Sequence, residues 1–172
     1  HAGSTTPGSV AEKMSPAESA RIAEAFEITG TLRGFLDDGD DASALQEARK
    51  LVSHPNREVR MAALEAMRWI GAAATTDMVS FFGDADLEIS QAADEAFWDA
   101  LDEIEDPLLL VRMLKIPLGS SSLEQRMDAL ERLVYLPEHL SFNVIAEMMN
   151  DPNEAVRNLA RDNLEFISEM EF

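Results

Sequence analysis

The sequence predicts an all-α fold, an α-solenoid of about four helical hairpins behind an N-terminal helical cap, and three observations carry that expectation. First, a phrase recurs. His54-Pro55-Asn56-Arg57-Glu58-Val59-Arg60, followed by Ala63 and Met67, returns as Asp151-Pro152-Asn153-Glu154-Ala155-Val156-Arg157, followed by Ala160 and Leu164. Second, four units align on one small residue, Ala63, Ala93, Ala129 and Ala160, at intervals of 30, 36 and 31 residues, the third unit carrying extra length around residues 117–122. Such a period marks stacked supersecondary units. Third, aromatics are only 6% of the chain and Ala, Leu and Met are abundant, which favours helix over strand.

Residues 1–14 are mostly small and polar (Ala2, Gly3, Ser4, Thr5, Thr6, Pro7, Gly8, Ser9) and read as a flexible lead-in. A spacer of this composition behind a removed export signal or anchor favours an extracytoplasmic protein over a cytoplasmic one, while a tag remnant accounts for His1 equally well. Residues 15–172 form a single repeat domain, divided into a cap at 15–41 and repeats at 42–172. Ser15-Pro16-Ala17-Glu18 places a hydroxyl at N-cap, proline at N1 and a carboxylate at N3, which starts a helix expected to reach about Thr29. Gly30, Gly34 and Gly39 punctuate the stretch beyond it, and Asp37-Asp38-Gly39-Asp40-Asp41 reads as an acidic turn.

In each repeat the second helix carries an apolar stripe. Four positions before the aligned alanine stand Val59, Ile89, Gln125 and Val156; four after stand Met67, Phe97, Leu133 and Leu164; seven after stand Ile70, Ala100, Leu136 and Ile167. These offsets share one side of a 3.6-residue helix, with a small residue where two helices come closest, and Gln125 is the one departure. First helices are expected over about residues 43–53, 76–83, 107–116 and 137–150. The turns between them, at residues 53–56, 83–86, 119–122 and 150–153, hold Asn, Asp or Ser able to cap the second helix, with proline suited to a first turn.

The formal charge is −19, from 14 basic and 33 acidic residues. Such a surface repels nucleic acid phosphates and anionic headgroups, and suits either simple solubility or a basic partner. The chain has no cysteine, so disulfides and thiolate chemistry are excluded. No apolar run approaches the roughly 20 residues needed to span a bilayer. His1, His54 and His139 are too scattered for a recognisable metal triad, a calcium loop turning at Gly39 would need ligands from Gly34 and Leu36, and no phosphate-binding or nucleophile motif occurs, so neither metal nor other cofactor is expected.

The units resemble HEAT repeats, including the short bacterial subgroup. Asp151-Pro152, Val156-Arg157, Ala160 and Leu164 carry the likeness best, with Val59-Arg60, Ala63 and Met67 close behind; Ser90 and Gln125 depart from the pattern in the middle units. The likeness spans roughly residues 43–169. It implies a curved superhelix whose second helices line a concave face used for protein recognition.

Three groups of residues are candidates for a role. Arg60, Arg126 and Arg157 recur at one repeat position, either as hooks for an anion or, as the resemblance implies, as a structural ladder bonding turn carboxylates such as Asp84 and Asp151. Trp98 stands where other units have Arg68, Val134 and Glu165, one place beyond the apolar stripe; it either packs on the neighbouring hairpin or anchors a partner. Trp69, Tyr135 and Phe166, one place further, are expected in the core. Around Trp98, Glu95, Asp99, Asp102 and Glu103 form an acidic stretch without a base, with Glu95, Asp99 and Asp102 on one face, so this stretch is either solvated surface or a recognition patch.

The expected function is a non-enzymatic scaffold for a protein or peptide, with an acidic surface suited to a basic partner, and with neither nucleic acid nor direct membrane insertion involved. The alternative implied by the resemblance is a lyase or regulator of bilin-type cofactor attachment, which a spectral change on adding a tetrapyrrole would reveal. A nucleic-acid-binding array conflicts with the charge.

Overall fold

The computed structural model describes residue 3 and residues 13–170. Nearly all of the lead-in expected over residues 1–14 lies outside them. The described residues form helices joined by turns, with no strand among them, as the composition and periodicity predict. No helix of the described residues is long and apolar enough to cross a membrane. The chain divides into two compact units, one ending at Ala66 and one beginning at Met67.

The first unit holds α1 (Pro16–Asp37), α2 (Asp41–Arg49) and the start of α3 (Arg57–Ile70). The capping box forms as the sequence predicts: Glu18 N donates to Ser15 Oγ and Ser15 N to Glu18 Oε2, both at 3.2 Å. The expected end near Thr29 is wrong, because α1 continues through Gly30 and Gly34 for two further turns. A mid-helix glycine costs only about 1 kcal/mol against alanine and does not stop a helix by itself. What stops α1 is Gly39, whose φ of 74° suits glycine alone; its N–H donates to Leu36 O at 3.1 Å and that of Asp40 to Phe35 O at 2.8 Å, the paired bonds of a Schellman cap. Asp40 then caps α2 through Ser43 N at 3.1 Å, and these hydrogen bonds from the Ser43 side chain and backbone hold its carboxyl below the ordinary range. Helices α1 and α2 pack together, and Leu32 of α1 and Ala44, Leu45 and Ala48 of α2 are buried.

The second unit contains the end of α3, a 3₁₀ turn (Gly71–Ala74), α4 (Thr75–Met78), a second 3₁₀ turn (Val79–Phe81), α5 (Leu87–Asp102), α6 (Pro107–Leu118), α7 (Leu123–Leu133), α8 (Glu138–Glu147), a third 3₁₀ turn (Met148–Asn150) and α9 (Glu154–Glu169). The first helix expected over residues 76–83 is thus a broken run of short helical turns. Successive helices pair: α4 with α5, α6 with α7, α8 with α9. Across the pairs, α7 packs on α9 and α6 on α8. Ala93, Ala129 and Ala160 are fully buried, and so is Ala63 in the first unit. Ile89, Phe97, Leu133 and Val156 are also fully buried, so the predicted stripe is the core face.

The four turns repeat one hydrogen-bond pattern. The second residue of each turn accepts the N–H two places on: His54 Nδ1 from Asn56 at 3.0 Å, Asp84 Oδ1 from Asp86 at 2.8 Å, Ser120 Oγ from Ser122 at 3.0 Å and Asp151 Oδ1 from Asn153 at 2.9 Å. The residue so placed then caps the second helix, Asn56 for Glu58 N, Asp86 for Glu88 N, Ser122 for Gln125 N and Asn153 for Ala155 N. Pro55 and Pro152 stand just before these caps, outside the first helical turn where the sequence suggests them; a fixed φ there stiffens the approach to the cap instead.

Candidate functional site

The recurrent arginines reach backward over their own turns. Arg60 Nη1 donates to His54 O at 2.9 Å, Arg126 Nη1 to Ser120 O at 3.0 Å and Arg157 Nη1 to Asp151 O at 2.8 Å, each to a carbonyl six residues earlier. The bonds tie down carbonyls of the turn that no helix satisfies. Arg126 also spans to the next turn: Nη2 donates to Asp151 Oδ1 at 3.3 Å, and Nε lies 2.9 Å from Oδ2 in a charge contact too bent for a hydrogen bond. Both side chains of that pair are largely buried, at 13% and 6% exposure. Ladder residues therefore act on backbone carbonyls as well as on carboxylates. In the repeat that holds α5, Ser90 stands in the arginine position and bonds Leu87 O in its own first turn.

In the first unit His54 replaces the turn carboxylate. Its Nδ1 accepts the Asn56 amide while Nε2 lies 3.1 Å from Glu24 Oε1, so the ring links the turn to α1. Asn56, nearly buried, adds a bond from Nδ2 to Arg21 O at 2.9 Å.

Trp98 is half-buried at the outer edge of α5, packed edge-on against Phe97 with centroids 5.8 Å apart. One turn before it on α5, the Asp94 carboxylate accepts from Gln125 Nε2 at 2.6 Å. Gln125, the departure from the apolar stripe, thus serves as a cross-link from α7 to α5. Burial pushes the Asp94 carboxyl above its ordinary value; the bonds from Gln125 and Trp98 pull it down, and the charges of Asp128 and Glu95 add to the rise. The guanidinium of Arg132, on α7, lies over the Trp98 ring at 5.1 Å from its centroid and is ion-paired with Asp102.

The acidic stretch is thereby divided. Glu95, Asp99 and Asp102 are exposed, as their spacing predicts. Asp99 lies 3.6 Å from Arg68, and Asp102 holds Arg132, so neighbouring helices supply the bases that the stretch itself lacks. Glu103 is turned to the backbone: its Oε2 accepts the Ala72 amide at 3.2 Å and presses on Gly71, whose φ of 78° and missing Cβ make the contact possible.

Trp98, Leu110, Asp128, Glu131, Arg132 and Tyr135 line a groove of about 520 Å³, open to solvent. The sequence points to Trp98 but not to the other five. Arg132 carries a usable signal, since it stands at a repeat position held by Ala66, Ala96 and Asn163 elsewhere. The core assignment of Trp69, Tyr135 and Phe166 is incorrect: they are 78%, 81% and 41% exposed. One step along a helix turns a side chain by about 100°, and at six places past the alanine that step carries it clear of the packed face. Among the described residues no three His, Asp or Glu side chains are placed to hold a metal ion. The chain matches no protein-family model, no curated protein and no solved structure.

Proposed function

We propose that this chain is a HEAT-like α-solenoid acting as a non-enzymatic scaffold, whose acidic and aromatic face docks a basic protein or peptide. The observation that carries the reading is the α5–α7 groove, where an aromatic pair, Trp98 and Tyr135, borders the carboxylates Asp128 and Glu131. Within the second unit the repeated turn bonding and the buried alanines support equivalent stacked hairpins, a rigid support that loses little ordering entropy when a partner docks. The formal charge of −19 adds long-range attraction for a cationic partner.

Titration calorimetry against matched basic and acidic peptides tests the reading. The basic peptides bind, and their affinity falls as salt rises from low to physiological strength, where the screening length shortens to about 8 Å. The same measurement on a Trp98→Ala, Asp99→Asn variant gives weaker binding. Equal affinity for both peptide sets, indifferent to salt and to the variant, removes the proposal.

A further inference from the structure

We infer that the α5–α7 groove is a subsite for a single arginine or lysine side chain of a basic peptide, an assignment that rests on the scaffold reading above. The protein already displays the chemistry internally: Arg132 lays its guanidinium on the Trp98 ring and closes on the Asp102 carboxylate. That pairing offsets the one cation lining the groove. Asp128 and Glu131 remain, and neither forms an ion pair among the described residues. Beside them Tyr135 offers a ring that is 81% exposed. A cationic side chain entering here meets two carboxylates and an aromatic face, the combination that favours a desolvating ammonium or guanidinium.

The floor of the groove is fixed before any ligand arrives. Gln125 of α7 bonds Asp94 one turn before Trp98, and Arg132 of α7 lies over the ring, so α7 engages α5 at two points around it. Leu110 of α6 supplies an apolar wall for the aliphatic stem of the incoming side chain. The volume, about 520 Å³, accommodates such a side chain with part of its flanking backbone.

The chain has two tryptophans, which gives the test an internal control. An acetylated, amidated peptide carrying three arginines spaced by glycine and serine is titrated into ¹⁵N-labelled protein. The Trp98 indole resonance shifts on binding and that of Trp69 does not. Tyr135→Ala, and separately Asp128→Asn with Glu131→Gln, weaken binding by about tenfold. Asp37→Asn with Asp38→Asn, an equal loss of charge on the α1 turn, weakens it less than about twofold. Tyr135 is exposed, so its variant keeps the native melting temperature. If both charge pairs weaken binding equally and Tyr135→Ala has no effect, the peptide senses only the overall field; the groove assignment is then overturned while the basic-partner reading stands. If the unaltered protein binds no basic peptide, both fall together.

Discussion

Helix α1 runs for 22 residues and buries two side chains, Ala25 and Leu32; helix α5 runs for 16 and buries six. The difference shows two ways of holding a helix. In α1 the ends do much of the work: a capping box at Ser15 and a Schellman cap at Gly39 satisfy backbone groups that a free helix leaves open. Its Ile22 and Phe26 face solvent, at 48% and 81% exposure. Helix α5 is held along its length by Ile89, Ala93, Phe97 and Ala100, and its outer edge is left for Trp98 and the acids. A helix anchored through its core face can present a rigid opposite edge, which is why the candidate site belongs to α5 and α7.

The sharpest way to break this comparison is to truncate one phenylalanine on each helix. Phe97 is fully buried and packs edge-on against Phe82 at 5.4 Å and against Trp98, so Phe97→Ala lowers unfolding stability by about 3–5 kcal/mol. Phe26→Ala changes it by less than about 0.5 kcal/mol. Urea midpoints for the two variants decide the matter. A large loss at Phe26 would mean that α1 relies on that ring after all, and the contrast would collapse.

A smaller effect sharpens the comparison from cores to turns. Asp151→Ala removes the partner of Arg126, leaves a guanidinium that is 13% exposed without its carboxylate, and strips the Asn153 amide of its acceptor. Breaking a buried pair this way costs about 3 kcal/mol, toward the low end here because Arg126 keeps its bond to Ser120 O. Ser120→Ala, at the equivalent place before α7, removes the same turn bond to Ser122. Thermal melts of the two variants compare the turns, with the larger drop expected at Asp151.

Turn chemistry is the most legible part of this sequence because it is local. Asn56, Asp86, Ser122 and Asn153 bond amides only two or three residues away, so residue type and position suffice to place them. The stripe of Ile89, Phe97 and Leu133 is legible for the same reason, through helical period. The groove is not. Gln125 and Asp94 are 31 residues apart, and Arg132 and Asp102 are 30 apart, so each contact exists only once neighbouring hairpins are placed side by side. Both separations fall short of the 36-residue interval between Ala93 and Ala129, so the partners do not occupy equivalent positions and aligning the units does not pair them. Tyr135 shows the opposite limit: its apolar bulk suggests a core position, but its angle on α7 turns it to solvent.

Gly30 and Gly34 offer the gentlest test of how α1 is held. Both lie within the helix, beyond the end that the sequence suggests for it, and a Cβ added at either meets no atom within 4 Å. Alanine at these positions therefore introduces no clash and removes backbone freedom from the unfolded chain, which should stabilise the helix by up to about 1 kcal/mol at each site. The gain should appear as a higher urea midpoint with an unchanged slope, and the two substitutions, one helical turn apart on an exposed face, should add. If α1 were held mainly by packing, the glycines would sit against neighbours and alanine would cost stability. A measured loss at either position would thus transfer α1 to the same class as α5, while a gain at both would establish it as a helix governed by its ends and its intrinsic propensity.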